Sequence, residues 1–190
     1  TNLLESLIQC EPFKQLYADY SIGWIFYFQA LYANERVFSA LQKLNTKIIF
    51  VGFDSANETI RTLNAKGTTT KSQYLTVELA KKHGIMIQAA FVLGQAGETK
   101  ESLEENVSFV KYMMDQGVLQ RVIAGVFTVA PESPGFNALV KMFPYLKETD
   151  YVPYPVFQKL WYDNFTKLGP NAANIIDEYS QRLVDLSPDK

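Results

Sequence analysis

The stretch FVLGQAGETKES, residues 91–102, decides the fold. Three apolar residues, Phe91 to Leu93, run into Gly94-Gln-Ala-Gly97, and Thr99 with Ser102 then opens a segment whose apolar positions recur at helical spacing. The pattern predicts a strand, a tight turn and a helix. Glycines at the turn take side chains out of the path of whatever approaches the strand end. The identity of that neighbour is the functional question.

Working outward, the same alternation repeats. IGWIFYFQ (22–29), KIIFVGF (47–53), IMIQAAFVL (85–93) and RVIAGVFTV (121–129) read as strands. Between them NERVFSALQKL (34–44), SQYLTVELAKKH (72–83) and KESLEENVSFVKYMMDQ (100–116) read as helices, with Gly84 and Gly117 as stop signals. Ser55 with Glu58, and Thr70 with Gln73, carry the spacing of capping boxes, so a short helix is expected directly after the second strand. Strands joined by crossover helices must pair in parallel, with the helices outside the sheet. The expected class is therefore α/β, with about four strand–helix units over residues 1–136. An aromatic-rich, mostly helical cap is expected over 137–190.

Side-chain parity adds a second layer. In the third strand Gln88, Ala90, Val92 and Gly94 share one face, and in the second Ile48, Phe50, Gly52 and Asp54 do so. This roomier, partly polar face suits a ligand-holding interior. Ligands of such sheets gather at the carboxyl ends of the strands, here QAL (29–31), DSAN (54–57), GQAGET (94–99) and APESPG (130–135).

Composition bounds the rest. A chain of 190 residues that is 47% hydrophobic can bury one sizeable core, and its net charge of −2 argues against a nucleic-acid surface. Cys10 is the only cysteine, which excludes a disulfide within the chain and a multi-cysteine metal site, and it reads as a small packed side chain. That usage points to a reducing compartment, the cytoplasm. No apolar stretch has the length of a membrane span, and the first residues lack the pattern of a signal peptide. His83 is the only histidine, so a metal site built on several histidines is excluded, and no P-loop, G-x-G-x-x-G after a strand or G-x-S-x-G occurs.

Gly52-Phe-Asp-Ser55, Leu63-Asn-Ala-Lys-Gly-Thr68, Ala80-Lys-Lys-His-Gly84-Ile85, Gly94-Gln-Ala-Gly-Glu-Thr99 and APESPGF (130–136) follow one another in an order and spacing that can be recognised. Over about residues 20–136 the chain resembles the second half of a radical S-adenosylmethionine (radical SAM) barrel, especially the group with cobalamin-binding members and methylthiotransferases. That group reads G-[IVF]-E-S-G, L-x-K-G-T, A-x-x-x-G-I, G-x-P-G-E-T and P-x-P-G-T-P. Here Asp54 replaces the usual Glu, Ala96 replaces the usual Pro, and Ser133-Pro-Gly135 only approximates the last loop. The family's C-x-x-x-C-x-x-C loop is absent, and one cysteine cannot ligate a [4Fe-4S] cluster.

The resemblance implies a partial (β/α) TIM-type barrel, the C-terminal portion of a larger iron–sulfur enzyme whose upstream units hold the cluster; the start at Thr1 agrees with that expectation. It implies S-adenosylmethionine as cofactor, cobalamin in some members, and radical chemistry such as methyl or methylthio transfer on a small-molecule or peptide substrate. Asp54 and Ser55 would then lie near the ribose or amino-acid part of S-adenosylmethionine; a helix cap and its dipole partner explain the same letters. The turn at Gly94 would bring backbone to the nucleoside, with Val92 against the adenine, and Val129 and Ala130 would offer backbone groups to its edge. Gln88 would reach substrate from the interior or stand as a satisfied buried amide. Glu98 reads as a first-turn acid set for the helix dipole. Two other readings stay open: a non-catalytic binding or scaffold module, and a cluster-independent barrel enzyme using Asp54 as acid or base. With its upstream neighbour missing, the apolar strand at 22–29 is expected either to self-associate or to be covered by the tail.

Overall fold

The computed structural model describes residues 2–20, 22–147 and 154–188. Helices α1 (Asn2–Gln9) and α2 (Glu11–Tyr20) precede strand β1 (Trp24–Phe28), which a 3-10 turn at Ala30–Tyr32 links to α3 (Glu35–Lys43). Then come β2 (Thr46–Asp54), α4 (Glu58–Leu63), α5 (Thr70–His83), β3 (Met86–Leu93), α6 (Lys100–Asp115) and β4 (Leu119–Val126). Helices α7 (Pro134–Met142), α8 (Tyr154–Phe165) and α9 (Ala172–Asp185) follow. Among the described residues the strands form one sheet in the order β1-β2-β3-β4, every pair parallel, so the α/β class read from the alternation holds.

The two faces of the sheet divide as period two requires. Ile49, Val51 and Phe53 of β2, with Ile87, Ala89, Phe91 and Leu93 of β3, are buried against the outer helices. Their partners Phe50↔Gln88 and Gly52↔Ala90, continued by Ala90↔Ile123 and Val92↔Gly125 into β4, form the half-open inner face. Phe109 of α6 meets Phe53 edge-on at 5.1 Å, which joins the helical layer to the sheet.

Several boundaries differ from the sequence reading. Strand β4 ends at Val126 instead of 129; beyond it Phe127 N–H still reaches Leu93 C=O, but the chain then turns so that Ser133 can cap α7, its side chain accepting from Phe136 N–H. Helix α4 is capped by Asn57, not Ser55, because Ser55 is drawn into the interior, where Oγ bonds Asn106 and accepts from Asn57 N–H. Helix α5 uses a Thr69–Ser72 capping box, which frees Gln73 to point inward and donate to the carbonyls of Phe53 and Ser55. The Thr99–Ser102 pair does cap α6 reciprocally. Cys10 is exposed, not packed, since it lies at the corner between α1 and α2.

The tail docks on the far side of the sheet from β1. Helix α9 lies against β4 and α6, burying Ile176, Tyr179 and Leu183, and Ser187 Oγ accepts from Val122 N–H at 2.9 Å. Residues 148–153 of the expected cap lie outside the described residues.

Candidate functional site

The turn after β3 is now explained by what presses on it. Gly94 and Gly97 have φ of 84° and 79°, a region that side chains other than glycine rarely adopt. A Cβ at Gly94 would stand 2.8 Å from the Tyr162 ring and 3.1 Å from Ile176, and one at Gly97 would stand 2.6 Å from Leu63. The Gly94 N–H donates to the Glu98 carboxylate, and its C=O accepts from Trp161 Nε1 at 2.8 Å. Gly97 N–H donates to Phe165 C=O at 2.7 Å, and Lys167 N–H to Glu98 C=O at 2.8 Å. The C-terminal end of α8 thus clamps the turn through backbone and side chain, with Ile176 of α9 also against Gly94 and Leu63 of α4 against Gly97.

Glu98 is fully buried and turned back over the turn, instead of standing in the first turn of α6 as a dipole partner. Burial pushes its carboxyl up to about 7, against the Gly94 and Gln95 N–H groups, which favour the ionised form. Its Oε1 has no hydrogen-bond partner among the described residues. Because this value lies above the ordinary 4.5, the group's contribution to stability is full below about pH 4.5 and is lost as pH rises through 7. The wild type is expected to lose about 3 kcal/mol of unfolding free energy across that window, and Glu98→Gln to lose little. Denaturant titrations of both proteins at about pH 5 and 8 check this; parallel declines would assign the effect to another group.

Beside the clamp, a cavity of about 560 Å3 opens at the carboxyl ends of the strands. Asp54 at the end of β2, Val92 near the end of β3, and Phe127 with Thr128 after β4 form its floor, and the Leu63–Lys66 loop one side. Trp161 stacks on Phe127 at 4.7 Å and on Phe165 at 4.4 Å, making an aromatic wall. Asp54 takes φ of 62°, and the β2–β3 register shifts between Gly52 and Asp54. A non-glycine residue in that conformation at a strand exit stores strain of the kind found at ligand sites. Lys66 Nζ lies 3.3 Å from Asp54 Oδ2, and Gln95 Nε2 ties the Asp54 carbonyl (3.1 Å) to that of Val92 (2.8 Å).

Of the residues singled out from sequence, the structure brings Asp54 and Val92 together in this wall. Ser55 lies beneath it with no exposure, and both backbone polar groups of Gly94 are taken by protein partners. Val129 is buried, Ala130 is exposed, and neither lines the cavity; Phe127 and Thr128 stand there instead. Gln88 sits deeper on the inner face, donating to Gln120 Oε1 at 2.9 Å.

Sequence reasoning missed Arg61, whose guanidinium is fully buried under the site. It donates to Ser55 C=O (2.6 Å), Gln73 Oε1 (3.0 Å), Thr68 C=O (3.0 Å) and Thr70 Oγ1 (2.9 Å), joining the β2 exit to the loop that carries Lys66. No pattern marks it, since an arginine in a short helix reads as a solvated side chain. Lys66 stands in the Leu63–Thr68 motif, but neither a role in the site nor its pairing with Asp54 was read from the sequence. The donor set does not fit a [4Fe-4S] cluster: the chain's single thiol is exposed at the α1–α2 corner, and no group of three or more His, Cys, Asp or Glu is placed to hold a metal ion among the described residues.

The parallel strands, outer helices and strand-end cavity form a fold also seen in solved radical SAM enzymes. No family model matches the chain. The radical SAM methyltransferase TsrM of Kitasatospora setae, solved with cobalamin and a [4Fe-4S] cluster, superposes with a TM-score of 0.65 at 14% identity, over 94% of this chain and 40% of that one. The cobalamin-dependent S-adenosylmethionine radical enzyme OxsB gives 0.54 at 15% identity, over 78% of this chain and 26% of that one. In sequence, an uncharacterized methyltransferase of Pyrococcus horikoshii is 30% identical over 102 residues, covering 54% of this chain and 21% of the relative. The chain therefore spans about a fifth of that curated relative's length. No helix among the described residues is long and apolar enough to cross a membrane.

Proposed function

We propose that the chain forms the C-terminal portion of a radical SAM enzyme and that its strand-end cavity binds S-adenosylmethionine. The observation that carries this reading is the convergence of three consecutive parallel strand ends on one cavity with a strained, inward carboxylate, Asp54. The chemistry of the wall suits that molecule. Asp54 offers a charged acceptor to ribose hydroxyls or the ammonium group, Lys66 a cation to the carboxylate, and Val92 with Phe127 apolar surface to the adenine. The aromatic wall excludes water from one side, and Gln95 holds the Asp54 and Val92 carbonyls at fixed spacing.

S-adenosylmethionine bound there supplies the group to be transferred or the source of a radical in such enzymes. The cluster ligands must come from elsewhere in the enzyme, as one thiol in this chain cannot provide them. Methyl or methylthio transfer to a small-molecule or peptide substrate, with cobalamin as a further cofactor, is the reaction class this reading favours. The cytoplasm is the compartment it implies.

Two measurements test the reading. Asp54→Ala is expected to weaken S-adenosylmethionine binding, followed by calorimetry, by about 10- to 100-fold, the worth of a charge-assisted hydrogen bond; unchanged affinity would remove Asp54 from the site. The tail docks at β4, while among the described residues β1 is the terminal strand of the sheet and pairs only with β2, its inner-face side chains Ile25 and Tyr27 being 57% and 87% exposed, so the chain on its own is expected to self-associate through that edge. Light scattering over a concentration series checks this, and a monomer at every concentration would contradict it.

A further inference from the structure

We infer that Gln95 sets base specificity in the strand-end cavity: its side-chain oxygen is a fixed, open acceptor for the exocyclic amine of a 6-aminopurine, so that the cavity takes adenine and disfavours a 6-oxopurine. The inference rests on the S-adenosylmethionine reading above and names the group that enforces it. Gln95 lines the cavity at the turn after β3 and is 1% exposed, so its amide is held by what surrounds it. Nε2 donates to Val92 C=O at 2.8 Å and to Asp54 C=O at 3.1 Å. Those two bonds decide which way the amide lies, because turning it over would set its oxygen against two carbonyl oxygens. The backbone is fixed as well: Gln95 N–H donates to the Glu98 carboxylate, and Gln95 C=O accepts from Glu98 N–H at 3.2 Å.

With both Nε2 hydrogens spent, Oε1 is left over. It accepts no hydrogen bond among the described residues, and unlike Glu98 Oε1 it is not sealed inside the protein, so it reaches the cavity that Gln95 lines. An uncharged acceptor held in one orientation calls for an N–H donor. Of the donors that S-adenosylmethionine carries, the ammonium is better answered by the Asp54 carboxylate, a charged acceptor in the same wall. The Gln95 amide is instead bonded to Val92, which with Phe127 offers apolar surface to the base. An adenine against that surface has its amine to give. A 6-oxopurine presents a carbonyl oxygen in place of the amine, and two acceptors facing each other leave both unanswered.

The probes are S-adenosylmethionine and its 6-oxopurine counterpart, S-inosylmethionine, each titrated into the chain by calorimetry. The wild type is expected to bind the first about twentyfold more tightly. Gln95→Met, close in shape but without the acceptor, should bring the two affinities within about threefold of each other, with circular dichroism confirming the fold. Asp54→Ala should weaken both ligands and leave their ratio as it is in the wild type. Binding of neither ligand to the wild type would sink the S-adenosylmethionine reading and this inference with it, whereas equal affinity for the two would overturn the inference alone. A ratio that survives Gln95→Met would give the discrimination to another group. Should Gln95→Met fail to fold, the wild-type ratio and Asp54→Ala decide the question, since a ratio that collapses in Asp54→Ala would move the reading of the base to that carboxylate.

Discussion

Arg61→Ala is expected to lower the unfolding free energy by about 4 kcal/mol, in the range found when one partner of a buried charged network is removed. The guanidinium is fully buried and makes four hydrogen bonds, two to carbonyls and two to side chains, across the β2 exit, α5 and the 64–70 loop. Its deletion strands the Thr68 carbonyl without that donor and leaves a void that the surrounding loops cannot close without moving. Arg61→Lys should recover little, since one ammonium cannot span acceptors arranged for a planar fork. Denaturant unfolding measures the loss directly. Under the proposed S-adenosylmethionine reading, affinity for that molecule should fall with it, because the 64–70 loop that sets Lys66 against Asp54 is no longer pinned. A loss below about 1 kcal/mol would mean that the loops are held by other contacts.

Gly94→Val is expected to cost a similar amount, about 4 kcal/mol, from two separable causes. The position has φ of 84°, which a β-branched residue adopts only under strain. Its Cβ also has nowhere to go, with the Tyr162 ring 2.8 Å away and Ile176 at 3.1 Å. Adding Tyr162→Ala to the Val variant should relieve the crowding and leave the backbone penalty, so the double variant should regain part of what its two single losses would sum to. Strict additivity would place the strain entirely in the backbone. Either variant is expected to loosen α8, because Trp161 Nε1 is bonded to the Gly94 carbonyl.

These two positions show where sequence reasoning stops. Glycines at a strand end announce a close approach, but the neighbour at Gly94 comes from α8 and α9, 68 residues and more away in the chain, and the local pattern carries no information about it. Glu98 looks like an ordinary first-turn acid of α6; only the packing of α8 over the turn buries it and drives its carboxyl up to about 7. Arg61 has the same history in reverse. Its letters suggest a solvated helix face, and the burial arises because Gln73, released from the expected cap by Thr69 and Ser72, turns inward to meet it.

What the local letters determined by themselves was the alternation of strands and helices from β1 to β4, the parallel pairing and the faces of the regular strand residues. Period two along a strand, capping side chains at helix starts and the need of parallel strands for crossover helices are short-range physics, so Val92 could be set on the inner face from sequence alone, whereas Asp54 follows a register shift and pairs with Phe91. The tertiary structure alone decided which of the strand-end groups face a cavity and which are consumed by the fold. Phe127 and Thr128 line it, whereas Ser55 and Gly94 spend their polar groups on Asn106, Glu98 and Trp161. Those partners lie on α6, on α8 and across the turn. A buried polar group bonds whichever complementary group the packing brings within reach, and that is set by the docking of distant helices, not by the neighbours in the chain.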